Sequence, residues 1–294
     1  MRIFVTGASG WIGSVVLPEL ISAGHQVLGL ARSDASAKAV ADMGAEVLRG
    51  DLNDTGTLRA GAVDSDGLIH LAFEGGRDRY EAAAQTDAKA IETFATSLAG
   101  SGKPMLISGA TLVTPGRPAT EGDELIAAGP IAARIATMQA ALAATERGVR
   151  SCLVMLPRSV HGQGERHGFI PQLIAMARAK GVSGYIGDGA GRWPAVHVKD
   201  AARLYRLAIE QAPAGAVLNA VGDEGVPVRE IAEAIGRNLN LPARSLPAEE
   251  YGGMLVPLLS TDMPASSTIT QELLGWKPTH PGLIEDIEQG HYFI

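Results

Sequence analysis

Three glycines in the string Gly7-Ala8-Ser9-Gly10-Trp11-Ile12-Gly13 follow directly on the apolar run Ile3-Phe4-Val5. The helical pattern Val15, Val16, Leu17, Leu20, Ile21 comes next. A strand, a glycine-rich turn and a helix in that order is the arrangement that takes the pyrophosphate of a dinucleotide. Gly7 suits the tight turn, Gly10 lets backbone N–H groups approach the pyrophosphate, and Gly13 allows close packing of helix on strand. The helix N-terminus adds partial positive charge where the phosphates would lie. The spacing predicts dinucleotide contacts from Gly7, Ser9, Gly10, Trp11, Ile12 and Gly13.

About 20 residues beyond such a loop, an acidic side chain would hold a ribose 2′-hydroxyl and favour NAD. Here the chain reads Leu30-Ala31-Arg32-Ser33. Arg32 can fork onto a 2′-phosphate and Ser33 can donate to it, so NADP is expected over NAD. Two alternatives stay open. Asp34 can turn inward for NAD, or Arg32 is a solvated surface residue while Ser33 or Asp34 caps the next helix.

The elements that position these residues alternate. Strands are expected at residues 2–5, 26–31, 46–49, 67–70, 105–108 and 152–156, with helices at 11–22, 35–43, 55–62, 79–99 and 131–146. That alternation predicts an α/β fold, a Rossmann-type doubly wound parallel sheet, with ligands at the C-terminal ends of its strands. Residues just after strands thus become binding candidates: Asp51 and Leu52, Leu71 and Ala72, and the stretch from Ser108 to Thr111. Beyond Leu156, Gly and Pro punctuate shorter elements, with helices expected near 199–210, 228–239 and 267–274. The expected division is a dinucleotide-binding core over residues 1–157 and, over 158–294, a small substrate lobe interleaved with the core sheet.

Bulk properties narrow the function. The chain has 294 residues, 46% hydrophobic and 19% charged, enough for a sizeable core. A net charge of −7 argues against nucleic acid or an anionic membrane surface as the main partner. Cys152, the single cysteine, lies in an apolar run and reads as a buried small hydrophobe. No apolar stretch approaches the roughly 20 residues of a membrane span, and a strand begins within two residues of Met1, leaving no room for a signal peptide. A cytoplasmic protein acting on a small molecule is expected. Ile131, Ile135, Met138 and Leu142 form an apolar stripe, which either a homodimer or core packing explains.

Several ordered strings resemble the short-chain dehydrogenase/reductase superfamily, in its extended, epimerase/dehydratase-like branch. They are TGASGWIG from Thr6 to Gly13, GDL at Gly50-Asp51-Leu52, HLA at His70-Leu71-Ala72, LPRSVHG from Leu156 to Gly162, GDGAGRWPAVHVKD from Gly187 to Asp200, and LGWKP from Leu274 to Pro278. The resemblance implies a nicotinamide cofactor and a catalytic Ser/Thr after the fifth strand. It further implies a Tyr-x-x-x-Lys at the start of the next helix, whose tyrosine exchanges a proton with substrate. This chain departs from that pattern. Pro130 falls at the tyrosine position, Arg134 at the lysine position and Gly109 at the hydroxyl position, as in an atypical subgroup that keeps the glycine loop alone.

Without the tyrosine, epimerisation and dehydration fall in rank. Positioned acid catalysis gives ~10²–10⁴-fold, whereas holding two reactants in register supplies ~10⁵–10⁸ M of effective molarity. The leading expectation is an NADP(H)-dependent oxidoreductase reducing an activated carbonyl, imine or enone. Its substitute proton donor is sought among His161, Ser108, Thr111 and Tyr80. The alternative is a non-catalytic NAD(P)-binding sensor. His161, Glu165 and His167 lack a helical i,i+4 pair, so no metal site is expected. His197 matches a structural strand residue of the family.

Overall fold

The computed structural model describes residues 1–73, 80–128, 131–251 and 255–294. At its centre is a seven-stranded sheet built from β1 (Arg2–Thr6), β2 (Gln26–Ala31), β3 (Glu46–Arg49), β4 (Gly67–His70), β5 (Pro104–Ala110), β6 (Arg150–Leu156) and β10 (Val217–Asn219). Their order is β10-β6-β5-β4-β1-β2-β3, with every pairing parallel. The order reverses beside β1, which puts the ligand crevice of such a sheet at the C-terminal end of that strand.

Both faces of the sheet are covered, so its strands read as unbroken apolar runs. Ile3 and Val5 of β1 point into one core with α1 (Gly13–Ser22) and α7 (Val198–Gln211). Phe4 points the opposite way, into a second core with α3 (Thr55–Val63), α4 (Tyr80–Ser97) and α5 (Ala132–Ala143). The Phe4 ring meets Phe94 edge-on at 6.3 Å, and both side chains are fully buried. Ile135 and Met138 are buried in that second core, with Ile131 and Leu142 packed against it. The apolar stripe of α5 therefore faces the chain's own interior.

A three-stranded sheet, β11-β9-β7, forms the base of a smaller lobe from β7 (Ser159–His161), β9 (Arg192–His197) and β11 (Asp223–Pro227). α6 (Phe169–Lys180), α8 (Val228–Leu239) and α11 (Leu283–Glu288) share a third core with it. β8 (Ser183–Tyr185) and β12 (Ala243–Ser245) add a short parallel pair. Two elements from beyond residue 157 join the larger part: β10 is an edge strand of the seven-stranded sheet and α7 packs on its face. α6 buries Ile170, Leu173, Ile174 and Ala177 at helical spacing, a pattern the sequence reading passed over. It ends at Gly181, whose left-handed φ of +68° a glycine adopts without strain.

The C-terminal segment is fastened by one carboxylate. Asp200, in the first turn of α7, accepts from the backbone N–H of Thr279 (3.1 Å) and His280 (2.9 Å) and from His280 Nδ1 (2.9 Å). Its own carbonyl accepts from Trp276 Nε1 at 3.0 Å. Burial pushes the Asp200 carboxyl up, but the hydrogen bonds of His280 and Thr279 outweigh it and hold the group below its ordinary range. Asp200→Ala should cost about 3 kcal/mol, because two backbone N–H groups lose a charged acceptor. A folded-state pKa below the unfolded one gives stability that is complete above about pH 4 and lost as pH falls through the folded value. Urea unfolding at neutral pH and in acid tests both, with the gap between parent and variant closing in acid.

Candidate functional site

The C-terminal ends of β1 to β4 open on a cleft of about 580 Å³. Gly7, Ser9, Gly10, Trp11, Ile12, Gly13, Arg32, Ser33, Asp51, Leu52, Leu71 and Ala72 all line it. The structure thus brings the dinucleotide candidates together on one surface, joined by Ser36 and Phe73. Gly7 has φ +68°, and a Cβ there would lie 2.7 Å from Ala72 N. At Gly13 a Cβ would lie 2.2 Å from the Gly7 carbonyl oxygen, so helix and turn touch backbone to backbone. Gly10 differs, meeting only the Gly7 oxygen at 3.2 Å. α1 starts without a side-chain cap, and its Ser14 and Val15 N–H groups turn back to the Gly10 and Ile12 carbonyls, so the positive end of the helix faces the cleft with no side chain across it. Turn, helix end and open volume fit the pyrophosphate of a dinucleotide.

At the far end of the cleft, Ser33 and Ser36 form a reciprocal capping box on α2 (Asp34–Asp42). Ser33 is thus a helix cap as well as a lining residue. Asp34 is fully exposed and pairs with Arg49 at 2.9 Å, pointing away from an inward NAD-type contact. Arg49 Nη2 also reaches the Arg32 carbonyl at 3.5 Å. Two arginines and two serine hydroxyls therefore gather at this end. Asp51 caps its own turn, accepting from Asn53 N–H at 2.7 Å.

The other end is organised by a buried carboxylate that the sequence did not flag. Asp87 of α4 accepts from His70 Nε2 at 3.0 Å and from Arg134 Nη1 of α5. His70 Nδ1 lies 2.6 Å from Thr6 Oγ1, and Arg134 Nη2 donates to the Ser108 carbonyl. Burial works to raise the Asp87 carboxyl, but the hydrogen bond and charge of His70 and the charge of Arg134 prevail and keep it low. The Arg134 guanidinium lies over the Phe73 ring, 4.6 Å from its centre, and Tyr80 meets the same ring edge-on at 5.6 Å. Burial, with the Asp87 charge, holds the Tyr80 hydroxyl above its ordinary range, and the Arg134 charge offsets only part of that rise. Arg134, at the family's lysine position, has become the fixed cation of a buried network. Pro130 lies outside the described residues.

The remaining catalytic candidates separate. Ser108 Oγ donates to the His70 carbonyl and lies 2.8 Å from Tyr205 OH, which locks it into the sheet. A Cβ on Gly109 would lie 2.4 Å from Met138 Sδ and 2.7 Å from Met155 Sδ, so thioethers fill the space of the family's hydroxyl residue. Thr111 is buried at the end of β5, its Oγ1 without a partner among the described residues. His161 is not brought to the cleft. It is fully buried in β7, its Nδ1 3.0 Å from Asp286 of α11 and its ring edge-on to His197. Its place after the sixth strand pointed to the crevice edge, but β7 pairs with β9 and α11 closes over it. His197 Nδ1 accepts from Lys199 N–H, capping α7. Burial, then the neighbouring His161, drives its pKa down to about 4. Glu165, considered beside His161 and His167, instead takes the Tyr292 hydroxyl at 2.7 Å, and burial raises it to about 7. Cys152 is buried, its thiol pushed up to about 11.

A parallel sheet with this strand order, and a glycine turn at its crevice, defines a dinucleotide-binding Rossmann protein. The chain belongs to the NAD dependent epimerase/dehydratase family, whose model matches residues 3–220. It is 44% identical over 297 residues to an uncharacterized protein of Saccharomyces cerevisiae, covering 99% of both chains. It is 31% identical to a 3-diazoavenalumate denitrifying reductase of a Streptomyces species, covering 96% of this chain and 97% of that one. Its fold matches dTDP-glucose 4,6-dehydratase of Streptomyces venezuelae, solved with NAD bound, at a TM-score of 0.78 and 20% identity, over 99% and 96% of the two chains. A nicotinamide cofactor is a property of this family.

Removing Arg134 would leave Asp87 buried with one partner fewer. Arg134→Met should cost about 3–5 kcal/mol, and adding Asp87→Asn to it should recover a large part of that loss. Urea unfolding of the two single variants and the double variant measures the coupling. Strictly additive losses would show that the two side chains do not depend on each other.

Proposed function

We propose that the protein is an NADP(H)-dependent oxidoreductase that reduces a small activated carbonyl, imine or enone, with Tyr80 as proton source. The observation that carries this reading is the Phe73, Tyr80 and Arg134 cluster at the end of the cleft. A tyrosine from another position in the chain, beside the cation that stands at the lysine position, does the work of the missing Tyr-x-x-x-Lys. The reductase relative from Streptomyces supports a reductive role. For the 2′-phosphate, Arg32, Ser33 and Ser36 support NADP, with Asp34 drawn off by Arg49.

Bound NADPH supplies a hydride. The chain's own part is to hold the substrate oxygen or nitrogen near Tyr80 and to give it a proton as negative charge develops there. The phenolate left behind is stabilised by the Arg134 charge and regains its proton from water, since Tyr80 is only half-buried. Asp87 and the Ser108 carbonyl keep the guanidinium in place.

Calorimetry should show NADPH binding more tightly than NADH. Arg32→Ala should narrow that gap by about 1–3 kcal/mol, the worth of a charged hydrogen bond. Equal affinities in the parent protein would remove the case for NADP. With purified protein and NADPH, a panel of carbonyls, imines and enones should show absorbance loss for at least one class. For that substrate, Tyr80→Phe should lower turnover ~10²-fold or more with NADPH affinity unchanged. Full activity in the variant would exclude Tyr80 as the donor. Tight NADPH binding with no turnover across the panel would favour a nucleotide sensor, the reading that the filled Gly109 position supports.

A further inference from the structure

Arg158 stands in the short connection between β6 and β7 with its guanidinium largely withdrawn from water. Its Nε lies 3.1 Å from Met263 Sδ, Nη2 faces the same sulfur, and the group sits 5.8 Å from the centre of the Phe169 ring. Among the described residues no carboxylate pairs with it. Burial alone drives its pKa down to about 10. A thioether is a weak acceptor, and taking a cation out of water without an anion costs several kcal/mol (roughly, per ion). Arg134, buried in the large core, is by contrast compensated by Asp87. Arg158 carries its charge at the expense of the fold.

Its place makes that cost useful. Two residues earlier the Leu156 carbonyl accepts from Thr111 N–H at 2.9 Å, and two residues later the Val160 carbonyl accepts from Trp11 Nε1 at 2.7 Å. Trp11 lines the cleft after β1, and Thr111 directly follows β5, both at the C-terminal edge of the sheet. The connection carrying Arg158 therefore bridges the cleft and the smaller lobe. Thr111 and Ser159, on either side of this connection, are buried, and their hydroxyls have no partner among the described residues.

We propose that Arg158 anchors an oxyanion, a carboxylate or a phosphate, carried by the substrate taken between the sheet and the smaller lobe. This rests on the oxidoreductase reading and adds a substrate class to it: small anionic molecules. Arg158 sets specificity and takes no part in proton transfer.

Calorimetric titration of the NADP⁺-loaded protein with oxalate, and separately with inorganic phosphate, tests the proposal without turnover. At least one should bind, and the preferred probe tells carboxylate from phosphate. Arg158→Gln should weaken that binding about tenfold or more, and Arg158→Lys should retain part of it, with NADP⁺ affinity unchanged in both. Arg158→Met should melt no lower than the parent, since an uncompensated buried charge is removed. Binding of neither probe, or binding that survives Arg158→Gln, would overturn the proposal. So would a lower melting temperature in Arg158→Met, which would make the residue a packing strut. If no carbonyl is reduced yet the anion binds through Arg158, the catalytic reading fails alone. If reduction proceeds and no anion binds, only the anchor falls.

Discussion

The buried carboxylate of Asp87 is the group on which the Phe73 end of the cleft depends. It joins α4 to β4 through His70 and to α5 through Arg134, and His70 carries the link on to Thr6 of β1. Arg134 extends it to the Ser108 carbonyl of β5. One anion thus holds three strand ends and two helices in register, at the place where the family keeps its tyrosine and lysine. A carboxylate this deep survives only with cationic and hydrogen-bonding partners, and losing either leaves a charge that water cannot reach.

The two ends of the cleft are built on different principles. The pyrophosphate region relies on backbone: a left-handed Gly7, a Gly13 pressed against the turn and a helix start without a side-chain cap. The far end is lined instead by side chains, Arg32, Ser33 and Ser36, with Arg49 holding Asp34 outside. The first is fixed by sterics, where any side chain would collide. The second can be retuned by single substitutions without disturbing the fold.

The core strands and the cleft-lining residues were legible because each lies in a local pattern: an apolar run ending in glycine, or a residue one step past a strand. Three of the predicted strands, β2, β3 and β4, have the boundaries expected of them, and β1, β5 and β6 extend them by one to three residues. What sequence reading missed is long-range. Asp87 sits on a helix that reads as amphipathic and solvated, and only the fold carries it to His70 and Arg134. His161 read as a loop histidine because nothing local shows that β7 pairs with β9 or that Asp286, 125 residues away, closes over it.

The central claim is that the crevice at the end of β1 is a dinucleotide site. Hydrogen exchange of the full chain, with and without NADP⁺, tests it without knowledge of the substrate. Protection should appear at residues 7–13, 32–36 and 71–73, while α11 exchanges as before. Protection that spares residues 7–13, or that appears only in the smaller lobe, would contradict it.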